Sequence, residues 1–430
     1  MVQGDVNEKI PFLKLVILGI QHVLVMYAGA IAVPLIIGAA IGLTKEQVAF
    51  LIKADLFTCG IATILQSLGI GGKIGIKLPV IMGVTFVAVT PMINIGQHLG
   101  LQYIYGAIII SGILVFIIAP YFSKIAALFP PIITGTILTV IGINLISVAM
   151  NWAAGGASAK DYGSNFNLLL AFGVMLLILL LIKYTSGFLK STAVLLGMAA
   201  GCIFAYIAGR MNISGMSAEP WVSVTLPFWF GMPKFDIAAV ITMTLVAVIC
   251  MVESTGVFFA VEKIVGREVK EKDLASGFRA EGIAIFLGSI FNSFPYTTFS
   301  QNVGLLAITK VKSRFVTVMA GFILVMFGLF PKLAFIVASM PAPVLGGAGI
   351  IMFGMVSATG LSMLSTVDYC RTENLMIIAV SIGIGVGISL KPDIFNKLPP
   401  VLEVLLSDGI LMTCISAVLL NFFFKCKDKD

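Results

Sequence analysis

Long apolar runs separated by short polar segments repeat along the whole chain. Runs such as residues 168–182 and 237–252, extended at either end, reach the length that a helix needs to cross a bilayer. This pattern predicts a helical protein that crosses the membrane many times. The predicted spans are 14–38, 46–68, 77–93, 102–122, 128–150, 166–184, 191–208, 236–260, 280–291, 302–310, 314–330, 343–364, 372–389 and 401–424.

The third and tenth predicted spans are short or interrupted by Pro, Gly and Thr, so hydropathy alone gives twelve or thirteen spans. The positive-inside rule favours fourteen. With fourteen spans and a cytoplasmic N-terminus, about 19 of the 27 Lys and Arg residues lie on the cytoplasmic side. Omitting either interrupted span would move the basic group at 263–279 or the Lys-rich tail outward. We therefore expect fourteen spans with both termini in the cytoplasm.

Fourteen spans form two halves of seven, and because seven is odd the halves have opposite orientations. The interrupted spans are then the third of each half, and such a pair is typical of a transporter's binding site. The alternative is two helices in which Pro and Gly are incidental. The predicted fold class is an all-α polytopic membrane protein with a seven-plus-seven inverted repeat.

Composition excludes a soluble domain. Hydrophobic residues make up 59% of the chain and charged residues 11%, against about 25% charge in soluble domains. The net charge of +7 is spread among loops and does not indicate nucleic-acid binding. The six Cys residues, including Cys426, show no metal or disulfide spacing. No HExxH or GxSxG motif supports an intramembrane enzyme, and no catalytic residue or cofactor is expected.

A few polar residues interrupt otherwise apolar runs. Glu253 lies within the eighth span, where a charge is costly, and it is a candidate substrate contact and proton carrier. A structural hydrogen bond to a neighbouring helix is the alternative. Glu281 begins the predicted ninth span, where the helix dipole would also favour a solvent-facing carboxylate. Gln21 and His22 lie in the first span, and His22 could relay a proton or orient a carboxylate.

The segment 292–310 is the most polar part of the predicted membrane region. Gln301 and Asn302 each present a donor beside an acceptor, which matches the edge of a purine or pyrimidine. Phe86 and Phe299 could border the ring face. Gly304 would allow close backbone approach. The alternative is that the two amides only stabilise a broken helix.

These residues carry a family resemblance. QNVGLLAITK, residues 301–310, matches the signature of the nucleobase–ascorbate transporter family. That signature reads Gln/Glu/Pro, Asn, any, Gly, four of any kind, Thr, then Lys/Arg/Gly. The pair Gln21–His22, ESTG at 253–256 and FNSFPYTTFSQN before the tenth span are also similar to it. The similarity covers the chain, and within the family it most resembles bacterial xanthine and uric acid permeases.

The resemblance implies a core domain (1–122 and 236–330), a gate domain (123–235 and 331–430) and short strands in segments 3 and 10. It also implies that Glu253 and Gln301 hold the base, with further contacts from Phe86 and the backbone of Ser300. The remaining implied residues are the supporting or proton-coupling Gln21, His22, Glu281 and Asn302, and the motif residues Gly304, Thr309 and Lys310.

Two positions bear on the substrate. Uracil carriers tend to have Glu where this chain has Gln301, so Gln favours oxidised purines. Several xanthine carriers have Asp where this chain has Val257, which leaves the choice between xanthine and urate open. The expected function is proton-coupled import of xanthine or urate. Alternatives are a uracil or other nucleobase permease and an anion carrier of the same fold.

The expected partners follow from the same resemblance. They are the purine base, the lipid bilayer and a second copy of the chain packed through the gate domain. The expected location is the cytoplasmic membrane of a bacterium. The coupling ion is expected to be a proton.

Overall fold

A computed structural model describes residues 5–125, 130–156, 159–398, 402–403 and 406–425. The predicted starts of the fifth span at 128 and the fourteenth span at 401 lie outside these residues, as do Cys426 and the end of the basic tail. The helices are α1 (Phe12–Ile41), α2 (Lys45–Leu68), α3 (Val89–His98), α4 (Leu101–Ile125), α5 (Pro131–Ala153), α6 (Asn165–Tyr184), α7 (Gly187–Ser191), α8 (Ala193–Ile207), α9 (Ile237–Val265), α10 (Glu271–Ile290), α11 (Gln301–Thr309), α12 (Arg314–Phe327), α13 (Pro331–Ala338), α14 (Ala342–Leu364), α15 (Thr372–Leu390) and α16 (Gly409–Lys425).

Most of the longer helices are apolar enough to cross a bilayer. Within the described part of the chain, eight helices meet the requirements of length and composition. A ninth span is obtained when α12 and α13, which meet at an angle of 83°, are taken together. The prediction of a polytopic helical membrane protein is confirmed.

Two short strands interrupt the helical pattern at the predicted places. β1 (Met82–Val84) precedes α3, and β2 (Tyr296–Thr298) precedes α11. The strands pair antiparallel, with Gly83 opposite Thr297. A membrane interior supplies no water to satisfy extended backbone, so the strands take their hydrogen bonds from each other and from side chains of neighbouring helices. The strands that the family resemblance implied in segments 3 and 10 are therefore present.

Helices enclose the strand pair from several sides. α2 packs against β1, and α9 and α10 pack against β2. The Thr63 hydroxyl on α2 accepts a hydrogen bond from the Met82 amide at 3.0 Å. A second group, built on the closely packed α5 and α14, lies across a cavity from the strands. Gly142 and Gly360 make that packing possible, because a Cβ at either position would meet the backbone of the opposing helix.

The ninth predicted span begins too late. The sequence placed it at 280–291, whereas α10 begins at Glu271. Glu271 and Asp273 lie in the first turn, where acidic side chains favour helix formation, and the Lys270 amide donates to Asp273 Oδ2 at 3.2 Å. Glu281 consequently lies in the middle of the helix and is fully buried, which contradicts its interpretation as a helix-start carboxylate facing solvent.

Candidate functional site

A cavity of about 540 Å³ lies between the broken segments and the α5–α14 pair. It brings together residues from five separate parts of the chain. Seven residues singled out from the sequence line it: Phe86, Glu253, Val257, Phe299, Ser300, Gln301 and Gly304. The other lining residues are Val84, Thr85, Val87, Thr134, Ile137, Leu138, Ile141, Ile249, Val252, Gly256, Ala260, Thr297, Thr298, Val303, Met355, Val356, Thr359 and Met363.

The short helices α3 and α11 both begin near this cavity. The residues immediately before α3, including Thr85 and Phe86, line it, as do Ser300 and Gln301 at the start of α11. The first amides of a helix lack partners within the helix, and they carry a partial positive charge. The two helix starts can therefore donate hydrogen bonds to carbonyl or anionic oxygens of a ligand.

Glu253 gives the cavity an acidic group. Its Oε2 atom is buried and has no hydrogen-bond partner among the described residues. The neighbouring Ser254 fixes α9 against β2, because its Oγ accepts from the Thr298 amide at 3.1 Å and lies 3.1 Å from the Thr297 hydroxyl. Glu253 is thus held beside the strand, where it lines the cavity.

Gln301 gives the same cavity an amide group. Its side chain is exposed to the cavity, and its Oε1 lies 3.4 Å from the Ser300 hydroxyl. An amide can donate and accept at once, whereas a carboxylate only accepts. Glu253 and Gln301 together can bind two different edges of a planar ligand.

Glu281 and His22 lie outside the cavity lining. Glu281 is fully buried, neither of its carboxylate oxygens has a partner among the described residues, and it is close enough to Glu253 to interact electrostatically. His22 is buried, and Asn302 Nδ2 donates to its carbonyl at 2.9 Å and lies 3.1 Å from its Nδ1. Asn302 therefore ties α11 to α1. Gln21 is half-buried and also lies outside the lining.

Aromatic side chains shape the walls. The ring of Phe86 packs edge-on against Phe353 of α14, with centroids 5.5 Å apart. Phe299 is buried and lies across two glycines, since a Cβ on Gly29 or on Gly83 would collide with its ring. Phe86 thus connects the two sides of the cavity, while Phe299 connects β2 to α1 and β1.

The last motif residues form the end of α11. The Thr309 hydroxyl donates to the Leu305 carbonyl at 2.9 Å. Lys310 has a φ of +55° and ends the helix in the left-handed conformation. This conformation explains why the family signature allows Gly at the position of Lys310, because Gly adopts it without strain. Neither residue lines the cavity.

Gly304 faces open space, since outside its own helix turn no atom of the described residues lies within 4 Å of a Cβ built there. Helix packing therefore does not explain this glycine, and the close backbone approach expected here stays a prediction.

Two groups of residues escaped the sequence analysis. Thr134, Met355, Thr359 and Met363 line the cavity from α5 and α14, and no local pattern marks them. Asp55 on α2 is fully buried and hydrogen-bonded to residues of the β2 segment. A charged residue within the apolar second span was the signal that could have identified it, the same signal that identified Glu253.

Helix starts, a carboxylate and an amide around one cavity, between two broken spans, define a membrane transport protein. The comparisons agree. The family model Xan_ur_permease, described as "Permease family", matches residues 13–394. The chain therefore belongs to this permease family, as its resemblance to nucleobase–ascorbate transporters indicated.

Two relatives are similar to this chain over most of their own length. The uric acid transporter UacT of Escherichia coli (strain K12) is 49% identical over 96% of this chain and 86% of its own length. The xanthine permease of Bacillus subtilis (strain 168) is 49% identical over 97% of this chain and 95% of its own length.

The fold also resembles that of a solved structure. It is the transmembrane domain of a cyanobacterium bicarbonate transporter, BicA, with a TM-score of 0.61 and 14% identity, covering 97% of this chain and 100% of that one. At this identity the similarity concerns the fold alone.

Proposed function

We propose that this protein is a proton-coupled symporter that imports an oxidised purine, with xanthine as the principal substrate. One observation carries the proposal: Glu253 on α9 and Gln301 at the start of α11 line the same cavity of about 540 Å³. The carboxylate can accept from ring N–H groups, while the amide donates and accepts at another edge. The names of two relatives with 49% identity, a xanthine permease and a uric acid transporter, support the same class of substrate.

Urate is the second candidate. The name of the E. coli relative favours it, and an additional ring carbonyl could accept from the amides at the start of α3 or α11. A uracil carrier is less well supported, because Gln301 cannot act as the second carboxylate. An anion carrier of the same fold is less well supported, because the described lining of the cavity contains the acidic Glu253 and no Lys or Arg.

We further propose fourteen crossings in two inverted halves. The count is obtained when β1–α3 and β2–α11 are each one crossing, α12 and α13 form one, and α8, α10 and α16 are added to the other long helices. The broken segments are then third in each half, as an inverted repeat requires. Residues 1–122 and 236–330 would form the core domain, and 123–235 and 331–430 the gate domain, with both termini in the cytoplasm.

Movement of the core against the gate would expose the cavity to each side in turn. Phe86 and Phe353 meet across this boundary, so their contact would slide or break during the cycle. A homodimer would pack through the gate domain. The bacterial relatives support a location in the cytoplasmic membrane.

Proton coupling would depend on Glu253 and Glu281. The two carboxyl groups interact electrostatically, and both have buried oxygens without partners among the described residues. Two such groups favour sharing a proton, since two negative charges at close range in an apolar site are costly. Substrate binding beside Glu253 would change how the shared proton is distributed between Glu253 and Glu281. His22 and Asn302 would support α11 from α1.

The test is uptake of labelled xanthine by cells that lack their own purine carriers. Wild-type uptake should be abolished by a protonophore and by excess unlabelled xanthine. Urate should compete, whereas uracil and sulfate should not. Sulfate competition would instead support the anion carrier, and competition by uracil would contradict the role of Gln301.

Glu253→Gln tests the site itself. It should abolish proton-driven uptake while the protein remains in the membrane, because the amide cannot carry the proton. Glu268→Gln is the matched control, since Glu268 is largely exposed and its nearest partner is Lys270 at 3.9 Å. Near-normal uptake by Glu253→Gln would overturn the assignment.

A further inference from the structure

A second acidic side chain lies behind β2, outside the lining of the cavity. Asp55 on α2 is fully buried. Its Oδ1 atom accepts hydrogen bonds from the Ser293 hydroxyl and from the Tyr296 hydroxyl, each at 2.9 Å. The Thr58 hydroxyl, one turn further along α2, also contacts the Tyr296 hydroxyl. Four polar side chains thus form a cluster between α2 and the segment that leads into the site.

The two carboxyl oxygens of Asp55 differ in how many hydrogen bonds they accept. Oδ1 receives two donors, whereas Oδ2 is buried and has no partner among the described residues. No salt bridge found in the described part of the chain includes Asp55. The titratable groups that interact with it, Tyr296 on β2 and Cys59 on α2, are acids and supply no positive charge. If Asp55 were ionised, it would carry a buried negative charge with hydrogen bonds to only one of its two oxygens among the described residues, which is energetically costly.

We propose that Asp55 binds a proton at Oδ2, which makes it a proton-binding site distinct from Glu253 and Glu281. The only covalent change is the new O–H bond. The neutral acid still accepts from Ser293 and Tyr296 through Oδ1, so it holds the β2 segment against α2 without a buried charge.

Asp55 is therefore a positioning residue for the site. Tyr296 faces the cluster, and the next two residues of the strand, Thr297 and Thr298, line the cavity. The contact thus connects the acid on α2 to the back of the binding surface. This inference goes beyond the proposed function, because it requires no particular substrate.

Infrared spectroscopy of the purified full-length protein at neutral pH tests the proposal directly. A protonated carboxyl group has a carbonyl stretching band that a carboxylate lacks. Asp55→Asn should remove one such band from the wild-type spectrum, because Asn keeps the acceptor at Oδ1 but has no acid. Identical carboxylic acid absorption in wild type and Asp55→Asn would overturn the proposal.

The infrared spectrum of a second variant, Tyr296→Phe, provides another test. This variant retains Asp55, so it remains informative if Asp55→Asn fails to fold. It removes one of the two donors to Oδ1, so the same band should move to higher frequency without losing intensity. Asp408→Asn is the matched control. Asp408 is also buried, with one oxygen that has no partner among the described residues, but its Oδ1 accepts from the Leu411 amide at the start of α16. That variant should leave the Tyr296-sensitive band in place. A carboxylic acid spectrum unchanged by Tyr296→Phe would also overturn the proposal.

Discussion

Replacing Gly83 by Ala would test how the shape of the site is maintained. A Cβ at this position would lie 2.7 Å from Phe299 Cε2, closer than the 3.0 Å that real Cβ atoms essentially always keep. The ring has no room to retreat towards α1, because it already packs closely on Gly29. A Cβ at Gly29 would lie only 2.5 Å from the Cζ atom of the ring. Phe299 lines the cavity, so the open direction is into the site.

The size of the effect follows from the cost of overpacking. Adding a methyl group to a filled core costs about 1–3 kcal/mol. If the displaced ring occupies space that the substrate needs, the substrate must push it back, and the binding free energy is reduced by the overpacking cost. That reduction corresponds to a loss of about 5- to 150-fold in affinity. The β1–β2 pairing should persist, because the backbone of Gly83 takes part in it and the new side chain does not.

The assay is substrate affinity, measured by equilibrium binding to purified protein, together with thermal unfolding. Phe299→Leu in the Gly83→Ala background should recover most of the lost affinity, because the shorter side chain removes the clash. Gly173→Ala is the control, since beyond its own helix turn no described atom lies within 4 Å of a Cβ there and the residue is exposed on α6. Unchanged affinity in Gly83→Ala, or no recovery in the double variant, would refute the reasoning.

Two further predictions concern α11. Gly304→Ala should raise the melting temperature, because Ala is favoured over Gly within a helix by about 1 kcal/mol. It should also lower the uptake rate, because the new methyl group enters the cavity. A stabilised variant with full uptake would exclude a role for this space in binding. Lys310→Gly should keep the stability of the wild type, whereas Lys310→Val should lose about 1–2 kcal/mol at a φ of +55°. Equal melting temperatures for the two Lys310 variants would contradict the capping role.

Much of the fold could be predicted from the sequence because the membrane imposes simple rules. Apolar length marked α1, α2 and α9, and the interrupted pattern marked the segments that contain β1 and β2. The start of α10 was missed for a physical reason. Its first turn is charged and amphipathic, and hydropathy detects only the apolar part of a helix that extends beyond the hydrocarbon region.

The site was predictable in part. Glu253 and Gln301 were found because polar residues are costly in an apolar run, and the structure brings both to one cavity. Thr134, Met355 and Thr359 were not found, because a Thr or Met in a membrane helix is unremarkable until the fold places it opposite the broken segments. Asp55 carried a visible signal, but its meaning depends on Tyr296 and Ser293, which are more than 230 positions away in the chain.

The antiparallel pairing of β1 with β2 has a consequence for biosynthesis. β1 ends at Val84, and its partner begins at Tyr296, so a ribosome adding 5–20 residues per second needs roughly 10 to 40 s between the two. Until then the first half of the chain contains extended backbone at membrane depth without its hydrogen-bonding partner. The insertion machinery or neighbouring helices must shield that segment from lipid during this interval. The substrate site can therefore form only after the second half has begun to enter the membrane.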